Sequence, residues 1–114
     1  MAYVEYIAGD KIRKHPLTQP GNIIGRGRKA QIRIRHDRKV SRIHCRILQR
    51  RDGYYLEHIS PKNRTLLNGQ TVMGDPEKLK DGDEITIGKH DFVFHRKDPS
   101  KRGLLAKLKA FFGR

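Results

Sequence analysis

Three turn dipeptides, Asp52-Gly53, Asn68-Gly69 and Asp81-Gly82, punctuate a chain whose apolar residues come in short alternating runs. Asp and Gly suit the positive φ values of a tight turn, so Asp52-Gly53 marks a hairpin, and Asn68-Gly69 and Asp81-Gly82 mark two further turns. The runs themselves are strand-like: Tyr3–Ile7, Asn22–Gly25, Gln31–Arg35, His44–Gln49, Tyr54–Ile59, Thr65–Leu67, Glu84–Ile87 and Asp91–Phe94. In Gln31–Arg35, for example, Ile32 and Ile34 share one face while Arg33 and Arg35 take the other. The segment from His15 to Gly21 contains Pro16 and Pro20 and reads as a loop. Short strands at about ten-residue spacing, with no helical period between them, predict an all-β sandwich of two sheets.

With 114 residues the chain is long enough for one compact domain and a short appendage. No stretch approaches the roughly 20 apolar residues of a membrane-spanning helix. Met1 to Asp10 carries two acids and no cationic start, unlike a secretory signal. The single cysteine, Cys45, excludes a disulfide framework and a cysteine zinc site, and the expected compartment is cytoplasmic.

Charge narrows the function. The net charge is +14, and residues 26–51 hold eleven Lys or Arg against one Asp. A field this concentrated implies an anionic partner: phosphate, nucleic acid or a membrane surface. Catalysis finds no support. The six histidines form no metal-binding pair on a helix, Gly25-Arg26-Gly27 is too short for a dinucleotide fingerprint, and there is no Walker-type phosphate loop. Cys45, on an alternating strand, reads as a buried structural thiol, and nothing calls for a metal or other cofactor.

Beyond Pro99, Ser100 and Gly103 the pattern changes. Leu104, Leu105, Leu108, Phe111 and Phe112 fall within one apolar arc at a helical period, flanked by Lys107 and Lys109. The expected organisation is therefore a domain over 1–98 and a basic amphipathic tail over 99–114. So short a helix needs a surface to lie on: its own domain, a membrane interface or a partner groove.

Three loops carry anion-binding groups: Arg26, after the strand ending at Gly25; Ser41-Arg42-Ile43-His44; and Lys62-Asn63-Arg64-Thr65. A guanidinium fork supplies paired donors to phosphate oxygens, while a hydroxyl and an amide fix orientation. In this order and spacing, Gly25-Arg26, Ser41-Arg42-Ile43-His44, Asn63-Arg64-Thr65 and Asn68-Gly69 resemble the motifs of the forkhead-associated (FHA) domain family. Leu79 to Gly88 resembles its closing turn and strand. The resemblance covers roughly residues 3–96.

That resemblance implies an eleven-stranded β-sandwich that binds phosphothreonine peptides at one end and acts as a signalling adaptor, without catalysis. It implies that Arg26 clamps the phosphate, that Ser41 hydrogen-bonds it, and that Arg42 contributes phosphate or peptide contacts. It assigns the peptide main chain to Asn63, puts Lys62 near the phosphate, and makes His44 and Asn68 loop braces. Lys39 stands where family members read the third residue after the phosphothreonine, and its charge would favour an acid there. The partner would be a phosphothreonine-containing protein, the product of a Ser/Thr kinase. Arg64 replaces the family's Gly; if the loop demands positive φ there, the cost is about 1 kcal/mol.

Two rival readings use the same basic surface. A nucleic-acid binder could clamp backbone phosphates with these arginines, although residues 26–51 contain no aromatic side chain for base stacking. A sandwich that has lost phosphate binding would have no use for Arg26, Ser41 and Asn63 at loop tips.

Overall fold

In the computed structural model, which describes residues 2–96, two sheets pack face to face with no helix among the described residues. In chain order the strands are β1 Tyr3–Ala8, β2 Lys11–Pro16, β3 Gly21–Gly25, β4 Ile32–Arg33, β5 Cys45–Arg50 and β6 Gly53–His58. There follow β7 Leu66–Leu67, β8 Gln70–Thr71, β9 Glu77–Lys78, β10 Glu84–Ile87 and β11 His90–His95. The six-stranded sheet runs β2-β1-β11-β10-β7-β8 and the five-stranded sheet β4-β3-β5-β6-β9. All pairings are antiparallel except β3 with β4, which is parallel. The expected sandwich is what the chain forms.

The alternating pattern explains which side of each strand is buried. Ile85 and Ile87 of β10, Phe92 and Phe94 of β11 and Val4 of β1 face Ile24, Ile32, Ile47 and Leu56 from the other sheet, all essentially inaccessible. Burying a side chain of this size stabilises by about 1.5–3 kcal/mol. Glu5 and His95, a residue pair on adjacent strands, are also buried and joined by a 3.0 Å hydrogen bond.

β2 corrects the sequence reading, which ended the first strand and then placed His15 and Pro16 in a loop. Both belong to β2, where Pro16 lies opposite Tyr3. Because β2 is a sheet edge, the missing proline N–H costs no ladder bond, and Lys11, Arg13 and Lys14 stand in solvent as edge residues commonly do. The turns follow their residues closely. Asn68 and Gly69 have φ of 49° and 83°, the two positive values a primed hairpin turn requires. The β5–β6 reversal sits at Arg51-Asp52, one residue earlier than the dipeptide suggests, with Gly53 at φ 145° opening β6.

The amphipathic tail over 99–114, with Leu104, Leu105, Leu108, Phe111 and Phe112, lies outside the described residues.

Candidate functional site

At one end of the sandwich the segments after β3, between β4 and β5, and after β6 are laced together by backbone. Arg26 N–H donates to the Ser41 carbonyl at 2.9 Å, Gly27 N–H to Arg42 at 3.0 Å, and His44 N–H to Ile24 at 3.0 Å. The approach is so close that a Cβ on Gly25 would run into the Arg42 carbonyl, so this position needs glycine. Arg26 is half-buried, and its Nε donates to the Val40 carbonyl at 2.9 Å. That contact holds the guanidinium above the Ser41 loop. None of the ion pairs among the described residues involves Arg26.

His44 is fully buried and ties all three segments. Its Nδ1 accepts from the Ser41 N–H at 3.1 Å, so the ring proton resides on Nε2, which donates to the Arg64 carbonyl at 3.0 Å. Its own carbonyl accepts from the amides of Ile59 and Ser60. Burial, and secondarily the neighbouring His58, lower the pKa of His44 and favour this neutral ring.

Ser60, which the sequence motifs did not single out, organises the third segment. Its buried Oγ accepts from the amides of Lys62 at 3.2 Å and Asn63 at 3.1 Å, and it also meets Ser41 Oγ. A hydroxyl has two acceptor sites and one proton. With one amide on each site, the Ser60 proton would go to Ser41 and the Ser41 proton would be left to donate outward. The available signal was Ser60-Pro61 at the end of a strand, since serine hydroxyls commonly cap the amides two and three residues on.

Ser41, Lys62 and Asn63 are thus linked through Ser60, and Arg26 is bonded to Ser41 through the backbone. Arg42 and Lys62 are exposed and Asn63 is partly buried. Arg64 needs no left-handed backbone, because among the described residues His36 and Asn68 are the non-glycine positions with positive φ. Lys39 is exposed on a loop pinned by Asp37, whose carboxylate accepts from the Lys39 amide at 3.0 Å and meets His90 Nε2 at 2.7 Å. The hydrogen bond from His90 is the main reason the Asp37 pKa is lowered.

Asn68 stands apart from this cluster. Its side chain accepts from the Glu84 amide at 2.9 Å and donates to Asp83 at 3.0 Å. It lies at the Glu84 end of β10, whereas Asp37 and His90 meet beyond the Ile87 end. Burial pushes the Cys45 thiol up to about 12, so it is an inert packing group at neutral pH. Among the described residues no group of three or more His, Cys, Asp or Glu is placed to hold a metal ion.

Comparison with known proteins agrees with the sandwich fold. The FHA domain model matches residues 22–88. Protein FraH of Nostoc sp. is 36% identical over 55 residues, 47% of this chain but 19% of FraH, so the chain spans about a fifth of that relative's length. The FhaA FHA domain, solved in complex with the intracellular domain of Rv3910, is 30% identical with a TM-score of 0.72, covering 83% of this chain and all of that one. The N-terminal FHA domain of S. cerevisiae Rad53p, solved with a phosphothreonine peptide, is 26% identical with a TM-score of 0.72, covering 85% and 94%.

Proposed function

The chain belongs to the FHA domain family, and on that premise we propose that it is a non-catalytic module that binds phosphothreonine peptides and serves as a signalling adaptor. The observation carrying this reading is the lacing of three loops into one anion-ready end. Arg26 is held by Val40 with no carboxylate partner among the described residues, and the Ser41 hydroxyl is held beside the third loop by Ser60. The phosphothreonine peptide bound by the Rad53p domain supports the choice of ligand.

In this mechanism Arg26 clamps the phosphate through its terminal nitrogens, and the Ser41 hydroxyl donates to a second phosphate oxygen. Charge-assisted bonds of this kind are the strong ones. Arg42 and Lys62 add positive charge at the rim, and the Asn63 amide pairs with the peptide main chain. Lys39, on the loop that Asp37 pins, favours an acidic residue three positions after the phosphothreonine. The partner is a protein phosphorylated by a Ser/Thr kinase, and the encounter is cytoplasmic. Residues 1–98 form the binding module, and the tail over 99–114 offers a peripheral contact to a membrane or a partner groove.

Screening against a degenerate phosphothreonine peptide library, beside phosphoserine and unphosphorylated copies, tests the reading. Binding should require the phosphate, prefer threonine and select Asp or Glu at the third position after it. Equal binding of the unphosphorylated library, or tighter binding of duplex nucleic acid, would overturn it.

A further inference from the structure

Beside the Arg26–Ser41–Asn63 cluster lies a second basic cleft, which shares Arg26 and Arg42 with it but adds Arg28, Lys29 and Arg33, cations that the proposed mechanism does not use. It has a volume of about 500 Å³ and is walled by Arg26, Arg28, Lys29, Arg33 and Arg42, with Ile43 on its surface. Neither Ser41, Ser60 nor Asn63 borders it. Five cations and no acid line one small space, and no ion pair among the described residues neutralises any of the five. The nearest acid in sequence, Asp37, is already engaged by His90 and the Lys39 amide. Arg33 is fixed in the wall by its Nε, which donates to the Arg26 carbonyl at 3.1 Å. Like charges gathered without counter-charge repel one another, and an incoming anion relieves that repulsion.

We infer that this cleft binds a second phosphate, or an equivalent acidic cluster, carried by the same partner segment that presents the phosphothreonine. The inference rests on the phosphothreonine reading and specifies its substrate as a doubly anionic peptide. Contiguity argues for one segment, because Arg26 and Arg42 belong both to the primary site and to this wall. Ile43, which is 38% exposed, offers an apolar contact that suits a peptide side chain better than a sugar-phosphate backbone. The absence of aromatic residues from 26–51 removes the stacking surface a single-stranded nucleic acid would use.

Arg28 and Lys29 are the clean handles. Both are exposed and stand outside the primary site, so Arg28→Ser with Lys29→Ser should leave the fold and the basal phosphothreonine affinity intact. The experiment measures fluorescence anisotropy for the full chain with a singly phosphorylated peptide and with a set carrying a second phosphate at successive positions on either side. A peptide with the second phosphate alone, duplex DNA and anionic phosphatidylserine vesicles complete the series. At least one doubly phosphorylated peptide should bind about tenfold tighter than the single one, a gain of one good charge-assisted contact. That gain should vanish in the double variant and shrink with added salt. A single-phosphate affinity that no second phosphate improves would overturn the inference and leave the phosphothreonine reading standing. Failure of every phosphopeptide would overturn both. A gain that survives Arg28→Ser with Lys29→Ser, or tighter capture of DNA or vesicles than of any peptide through these two residues, would also overturn it.

Discussion

Two groups of loops cap this sandwich, and they are built on different principles. Beyond the Glu84 end of β10, the Asn68-Gly69 turn closes with its own positive φ values and binds its immediate sheet neighbours Asp83 and Glu84. At the other group, no self-closing turn is involved and single contacts join separate loops: Arg26 to Val40 and Ser41, His44 to Arg64, Ser41 to Ser60, and Asp37 to His90. The first group starts from a turn whose shape is local, adds bonds to the neighbouring strand, and serves stability. The second exists only once the sheets have assembled, and it holds polar groups in fixed positions where solvent and ligand can reach them.

Breaking the His44 brace should have the largest effect. His44→Ala removes a buried ring and two hydrogen bonds, and should cost about 3 kcal/mol in urea unfolding. It should also weaken phosphopeptide binding although the side chain is too deeply buried to touch a ligand. A variant that unfolds like the wild type would show the brace to be dispensable.

The same ring gives a pH signature. Burial lowers the His44 pKa from 6.5, so as the pH falls below that value the unfolded chain takes up the proton before the folded one does. The stability His44 contributes is therefore complete above pH 6.5 and is lost as the pH drops beneath it. The protonated ring could no longer accept from Ser41. Histidine NMR signals should place the His44 midpoint below 6.5, and a midpoint at or above 6.5 would contradict the neutral brace.

Asn68→Ala sharpens the contrast from the other side. It forces alanine to a positive φ and removes two side-chain bonds, which should cost about 1–2 kcal/mol. Peptide affinity should stay within about twofold of wild type, well under the 1.4 kcal/mol that a tenfold change represents. A large affinity loss at unchanged fold would mean the two loop groups are coupled through β10.

Much of the first group was legible in the sequence, because Asn68-Gly69 carries its geometry in two residues and Gly82 takes a positive φ in the turn that leads from one sheet to the other. The core was legible too, since alternation in Glu84–Ile87 and Asp91–Phe94 places Ile85, Ile87, Phe92 and Phe94 inside. β2 was not. An exposed edge strand of Lys, Arg and His ending in proline has no apolar alternation to read, and its strand form comes from pairing with β1. β8 and β9, at two residues each, are likewise defined by their partners. At the candidate site the motif residues could be named, but Ser60 and the Asp37–His90 contact could not. Their roles depend on partners 19 and 53 residues away.

Arg64→Gly should produce the smallest effect. Because Arg64 stands at ordinary negative φ, glycine would relieve no strain and would add freedom to the unfolded chain. The loss should be under about 1 kcal/mol, with His44 still bonded to the carbonyl at position 64. A gain in stability would point to hidden strain in that loop.

The most direct test of the phosphothreonine site is calorimetric titration of one library-selected phosphothreonine peptide into the wild type, Arg26→Ala and Asn68→Ala at a single ionic strength. Wild type and Asn68→Ala should bind with similar affinity, while Arg26→Ala should give no measurable binding at matched concentrations. Comparable binding by all three would contradict the assignment of the phosphate to the Arg26–Ser41 end.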